Sequence, residues 1–392
     1  MFKVAYQVPD DGGCTYYRVL TPMQTCKRQA ALGCKPIAKN DDLVKAAAIL
    51  KEAEIFLCSR IKDGQLIEVI EGFHKRGQKV VIDYDDDMFN VSPFSPFYDE
   101  LGTKEIIVEH EGKPIYLWKD KAKFNNSDAS VPFDIERNKK NLETIQKVVS
   151  VADLITVTTP ELAEVYLQFN PNVRVLPNCV DLRLWGKRPF AERENVRIGW
   201  FGGSSHYEDW AMIAPAVQRF FRDHPYAQLV IMGQRFDATL RGIPPTQIEH
   251  HGWVHTQAYP YAAQLLDLDF AIIPLKDTPF NRNKSPIKWI EMAAMEVPSV
   301  TSNIPPYSPV MDLVPDNGVF IDGEDADLWY EGMRTLYNDK ELRRQIGKNA
   351  RQTVAERFDI NGEYVRWANA YKEVFSCQLP QSQPSPALSA KD

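Results

Sequence analysis

Long apolar runs are missing from this chain. Nowhere in its 392 residues does one approach the ~18 needed to cross a bilayer as a helix. The start, Met1-Phe2-Lys3-Val4-Ala5-Tyr6, has no basic segment followed by a long apolar core, so it reads as a strand and not as a secretory leader. Paired cysteines are missing too. The six cysteines (Cys14, Cys26, Cys34, Cys58, Cys179 and Cys377) are scattered, and none makes a close pair with metal-ligand spacing. Reduced thiols are therefore the default, a cytoplasmic protein is expected, and no metal-ligand set is assigned. Positive charge is not in excess. A formal net charge of −7 argues against a nucleic-acid surface over the whole chain, although a local basic groove stays open.

The composition that remains, 44% hydrophobic and 25% charged, is that of a globular protein. The length suits two domains of roughly 100–200 residues. Residues 2–7 read as a buried strand. The loop Pro9 to Thr15, with Gly12 and Gly13, follows, and then a helix carrying Tyr16, Tyr17, Arg18 and Pro22. Helices at 46–50 and 65–76 alternate with strands at 54–59 and 80–84. A helix at 133–150, a strand at 154–158, a helix at 160–169 and a strand at 173–177 continue the pattern. Such alternation predicts a parallel sheet with helices on both faces. Residues 90–133 show no period and read as an insertion that recognises an acceptor.

The plan then restarts. A strand at 196–201 leads into Gly202-Gly203-Ser204-Ser205-His206 and a helix at 209–222. Strands are expected at 228–232, 248–253, 270–274, 300–302 and 318–321, and helices at 326–338, 340–358 and 361–374. The fold class predicted is α/β: two Rossmann-like doubly wound parallel-sheet domains facing a central cleft. The first domain is 1–180 with the insertion 90–133, the linker 181–194, and the second domain 195–360. A helix at 361–376 is placed to cross back to the first domain. Residues 377–392 have too few bulky apolar groups to fold and read as a disordered tail.

Two stretches carry chemistry. Asp83, Asp85, Asp86 and Asp87 lie within five residues at the carboxyl end of a strand. Packed there, they would raise one another's pKa values. They serve as candidates for a general base, for binding acceptor hydroxyls or for a divalent cation; the bland reading is a solvated acidic turn with one helix cap. The second stretch runs from Phe280 to Val300. Ser285 is read as an N-cap and Pro286 as the first helical residue. Lys284, Lys288 and Glu291, spaced four and three, share a face. Lysines at a helix N-terminus are disfavoured by ~0.3–1 kcal/mol each, unless an anion binds there. Glu291, one turn deeper, would then accept from a hydroxyl-bearing part of the same ligand. A phosphate joined to a sugar fits, and a solvated face with a Lys288–Glu291 pair is the plain alternative.

These residues resemble the two-domain GT-B glycosyltransferases, and within them the group-1, family-4-like enzymes that use nucleotide-activated sugars. The resemblance covers about residues 1–376. It rests on the N-terminal glycine loop, Pro177-Asn178-Cys179-Val180-Asp181, Gly199-Trp200-Phe201-Gly202-Gly203 and above all Lys284 to Pro298. In that family two glutamates eight apart lie beside the donor, and the second bonds the nucleotide ribose. Glu291 matches the second, while Asn283 stands at the first. The resemblance implies donor binding by Gly202, Gly203, Ser204, His206, Arg235, Lys284, Ser285, Lys288 and Glu291. Gly12, Gly13 and Arg18 would face the acceptor. The implied reaction is transfer of a sugar from a nucleotide diphosphate sugar to an acceptor hydroxyl, with retention and without a required cofactor. A glycan, a lipid-linked glycan or modified DNA would be the acceptor. The competing expectations are a sugar-nucleotide epimerase, a non-catalytic nucleotide-sugar-binding protein and a phage-type DNA-modifying glycosyltransferase.

Overall fold

Short apolar segments flanked by amphipathic ones pair side by side, and the helices between them cover both faces. The computed structural model describes residues 1–60, 64–110, 112–119, 132–186 and 193–375. The tail expected at 377–392 lies outside the described residues, as do parts of the insertion and of the linker. The first domain holds β1 (Lys3–Val8), β2 (Gly33–Ala38), β3 (Ile55–Ser59) and β4 (Lys79–Tyr84). After the insertion's antiparallel hairpin, β5 (Ile107–His110) and β6 (Lys113–Tyr116), come β7 (Leu154–Val157) and β8 (Val173–Val175). The sheet order is β2-β1-β3-β4-β7-β8, all parallel.

The second domain repeats the scheme with β9 (Val196–Gly202), β10 (Ala227–Gly233), β11 (Ile248–His251), β12 (Phe270–Ile273), β13 (Ser299–Ser302) and β14 (Val319–Ile321). Its order is β11-β10-β9-β12-β13-β14, again all parallel. In both sheets the strand order reverses beside the first strand. That reversal opens a crevice at the strands' carboxyl ends, where such sheets bind ligands. Sequence reading passes over β2 because Gly33 and Pro36 break the strand pattern. The structure places β2 at the sheet's edge, where a proline costs no ladder bond.

The first helix is not regular. Gly13–Thr15 is α-helical, Tyr16–Leu20 is π-helical, and Thr21–Arg28 is α-helical again. The N–H of Thr21 donates to Tyr16 O, one residue wider than an α-turn. Pro22 supplies a physical reason, since it has no N–H to give and its ring needs room over the preceding turn. The widened turn buries Tyr16, Tyr17 and Arg18 together, and π-bulges of this kind often mark functional positions.

The domains are joined twice. Val180 and Asp359 pair as parallel strand residues, with Val180 N–H donating to Phe358 O at 2.9 Å and Ile360 N–H to Val180 O at 2.9 Å. The helix Ile360–Glu373 then packs on the first domain, where Trp367 and Tyr371 are buried with Val4, Tyr6, Val19 and Met23. Trp185, expected in a linker, is fully buried against the second domain and meets Tyr259 edge to face at 5.6 Å. Within the insertion, Trp118 stacks on Tyr98 and donates from Nε1 to Pro93 O at 2.9 Å. Among the described residues no helix is long and apolar enough to cross a membrane.

Candidate functional site

The helix Ile287–Ala294 forms one wall of a cavity of about 580 Å³ between the domains. Trp289, Ile290, Met292, Ala293 and Ala294 are buried, so the helix is fixed by its neighbours. Its start differs by one residue from the sequence reading. Pro286 is the N-cap, and Ser285 Oγ instead accepts from Asn178 Nδ2 of the first domain at 2.7 Å. Lys284, Lys288 and Glu291 all line the cavity. Gly202 and Gly203, at the carboxyl end of β9, line it too, together with Ser205 and His206. A Cβ on Gly202 would stand 2.7 Å from the Trp200 ring and 3.3 Å from the His206 ring. Only glycine leaves the Trp200 ring that position. Ser204 is exposed and outside the lining, where Ser205 takes its place.

The electrostatics of this wall are dominated by the two lysines. Lys288 Nζ donates to His206 Nε2, and His206 Nδ1 donates to Asp209 Oδ2 at 2.5 Å. Burial, followed by the neighbouring charge of Lys284, brings Lys288 down to about 7. Burial and then Lys288 and Lys284 bring His206 down to about 3, so the ring is neutral. Burial opposes ionisation of Asp209, but the hydrogen bond from His206, the charge of Lys284 and the Lys276 N–H hold it below the usual carboxylate range. Deeper in, Glu291 accepts from Tyr17 at 2.6 Å and from Tyr259 at 2.8 Å. Burial raises its pKa against those two hydrogen bonds and the charge of Lys288.

The first domain contributes Gly12, Gly13, Asp85 and Asp86 to the facing wall. Burial, and then the charge of Asp85, push Asp86 up to about 6, with Lys284 and Arg60 pulling the other way. Asp85 lies 3.7 Å from Arg60. The other two aspartates of the cluster work elsewhere. Asp83 is 1% exposed and takes Arg18 in a two-pronged contact, Nε to Oδ1 at 3.0 Å and NH2 to Oδ2 at 2.8 Å, with Thr156 Oγ1 donating to Oδ2 as well. Arg18 also donates to Leu176 O and Asn178 Oδ1 and lies over the Trp367 ring. Neither Asp83 nor Arg18 lines the cavity. They lock the interior of the first domain, so Arg18 does not meet an acceptor there, and Asp83, buried away from the cavity, is not placed to act as a base.

Asp87 is fully buried and caps the following turn, accepting from the N–H groups of Phe89 and Asn90. Its Oδ2 also accepts from Asn283 Nδ2 at 2.7 Å, across the domain boundary. That contact accounts for the asparagine where the resembled family has a glutamate, because a second carboxylate would face Asp87. Arg235 pairs with Asp237 at 2.7 Å, is 40% exposed and does not line the cavity. Sequence reading missed Asp209 behind His206, Tyr259 on Glu291, and Trp253 and Tyr307 on the cavity lining. Only Asp209 had a local signal, its three-residue spacing from His206 at the start of a helix. Among the described residues no group of three or more His, Cys, Asp or Glu is placed to hold a metal ion.

Two parallel-sheet domains with a cationic helix entrance, a glycine turn and a buried glutamate in the cleft between them define a GT-B glycosyltransferase architecture. Residues 195–339 match the family model described as Glycosyl transferases group 1. Among solved structures, sucrose-phosphate synthase from Thermosynechococcus elongatus is similar with a TM-score of 0.62 at 13% identity, over 96% of this chain and 100% of that one. HepE from Anabaena, in complex with UDP and glucose, is similar with a TM-score of 0.61 at 13% identity, over 95% of this chain and 100% of that one. A glycosyltransferase from Rickettsia africae gives 0.56 at 12% identity, over 95% and 98%. At such identities the likeness speaks for the fold. No curated protein matches the sequence.

Proposed function

We propose that this protein works in the cytoplasm and transfers a sugar from a nucleotide diphosphate sugar to an acceptor hydroxyl, with retention at the anomeric carbon. The observation that carries this is the placement of Lys284 and Lys288 together on the cavity wall beside Gly202 and Gly203. Burial and then the neighbouring ammonium of Lys284 lower the pKa of Lys288, so the unliganded pair carries a cost. A diphosphate between them reverses that cost, because ammonium and backbone N–H groups converge on its oxygens. The same groups stabilise the charge that grows on the diphosphate as it leaves. No cofactor is required in this reading, since the lysines bring the positive charge. The structure of HepE with UDP-glucose supports a nucleotide-sugar donor by fold likeness.

Glu291 is assigned to the ribose. Each of its oxygens takes one phenol and keeps a lone pair for a sugar hydroxyl. Asp86, held near 6, is assigned to the acceptor hydroxyl, because a group with that pKa exchanges protons near neutrality. Gly12 and Gly13 give the acceptor room. Contacts between the domains, Tyr17 to Glu291, Asn178 to Ser285 and Ser92 Oγ to Glu208 at 3.1 Å, keep the cleft closed and exclude water that would hydrolyse the donor.

A thermal-shift panel of nucleotide diphosphate sugars tests the proposal. One donor should raise the melting temperature. Acceptors incubated with it (a glycan, a lipid-linked glycan, modified DNA) should gain a hexose mass in the mass spectrometer. A panel in which no nucleotide sugar binds would remove the reading. A donor consumed without an acceptor would point to an epimerase.

A further inference from the structure

Asp209 is 1% exposed and stands in the first turn of the helix Tyr207–Asp223. Its Oδ1 accepts from the N–H of Lys276 at 2.7 Å and from Asn281 Nδ2 at 3.0 Å. Its Oδ2 accepts from His206 Nδ1 at 2.5 Å. A carboxylate only accepts, so the proton in that last contact belongs to the imidazole. The neutral ring then has its lone pair at Nε2, and Lys288 Nζ donates to it. The other charges facing Lys288 are Lys284 from the turn before its helix, Glu291 from the next turn, and Asp86 from the first domain.

A lysine arm is long and flexible. Beside Lys284 it would swing away from the second positive charge if nothing held it. We propose that Asp209 is a positioning residue for the donor's phosphates: by holding the Nδ1 proton of His206 it keeps Nε2 an acceptor, and that acceptor holds Lys288 Nζ at the cavity wall. The inference rests on the donor reading above. The same carboxylate also holds Asn281, in the turn Pro279–Arg282 that leads directly into Lys284. The N–H of Lys284 donates to Asn281 O at 3.2 Å, so the same carboxylate also steadies the backbone turn that carries Lys284. A carboxylate that fixes the tautomer of an imidazole, which in turn fixes a working group, is a familiar way to set geometry from one layer back.

Calorimetry with UDP, GDP and ADP at neutral pH tests this in the wild type, His206→Gln, His206→Ala and Asp209→Asn. Glutamine keeps a carbonyl acceptor near the place of Nε2, and alanine keeps none. The glutamine variant should bind the preferred nucleoside diphosphate within about threefold of wild type, and the alanine variant about tenfold or more weakly. Asp209→Asn should also lose about tenfold: its carbonyl oxygen must face the donors on Lys276 and Asn281, which leaves its NH2 toward His206 Nδ1 and puts the ring proton on Nε2, against Lys288. If that variant fails to fold, the histidine pair still decides. Wild-type affinity in His206→Ala would overturn the proposal. So would equal weakness of both histidine variants with unchanged melting temperatures. A wild type that binds none of the three diphosphates would instead remove the donor reading, and this inference with it.

Discussion

Tyr17 of the first domain donates its hydroxyl to Glu291 of the second at 2.6 Å, and both side chains are buried on the cavity wall. Tyr259, from the same domain as Glu291, occupies the other oxygen. The two phenols therefore differ in what they hold together. Leaving a buried acceptor without its donor costs about 1–3 kcal/mol. Tyr17→Phe should shift the domains toward an open state, seen as a larger radius of gyration in small-angle scattering. Tyr259→Phe should leave the radius unchanged. Equal radii for Tyr17→Phe and wild type would show that this contact does not latch the cleft.

Lys288 gives the donor site a pH dependence with a definite sign. In the free protein it sits at about 7, lowered by burial and by Lys284. A bound diphosphate raises that value, so binding takes up a proton at and above neutral pH. Affinity should be highest below about 7 and should fall by up to about tenfold per pH unit above it. Calorimetry at pH 8 should give a less exothermic binding enthalpy in Tris than in phosphate, since Tris costs more to deprotonate. Lys288→Met should abolish the difference. Identical enthalpies for wild type in both buffers would remove the proton uptake.

Arg18 and Asp83 are both 1% exposed, and their loss should be felt as stability. Arg18→Ala strands a buried carboxylate and should cost about 3–5 kcal/mol, read from the midpoint of urea unfolding. Arg18→Lys keeps the charge but loses the two-pronged contact and should cost less. A variant that kept its midpoint and lost only acceptor affinity would return Arg18 to the acceptor side.

Asn283→Glu restores the paired glutamates of the resembled family but sets a carboxylate against Asp87. Asp87 loses a donor and gains a like charge, a cost of about 1–3 kcal/mol at pH 7. The melting temperature should drop at pH 7, and the deficit should shrink as the pH falls toward about 4 and one carboxyl is protonated. A deficit independent of pH would mean that bulk, not charge, is responsible.

What could be read from the sequence follows from how local each signal was. Helices such as Ala326–Asn338 and strands such as β10 announce themselves by period. Lys284, Lys288 and Glu291 come together in the structure because one helix sets their spacing. Gly202 and Gly203 come together with them because a strand ends there. Arg18 and Asp83 are 65 residues apart and Tyr17 and Glu291 are 274 apart, and no local pattern encodes either pair. Arg235 looked cationic and free, but Asp237 two residues on neutralises it. The helix start slipped by one residue because Ser285 had a partner in the other domain.

The polypeptide passes between the lobes at Val180 and again at Asp359, and backbone hydrogen bonds stitch the two passages side by side. Two threads sewn together can twist, but neither can slide past its neighbour. The lobes they carry should therefore swing like a jaw on a single pin, and every closing stroke should return Asp86 to the same pair of lysines.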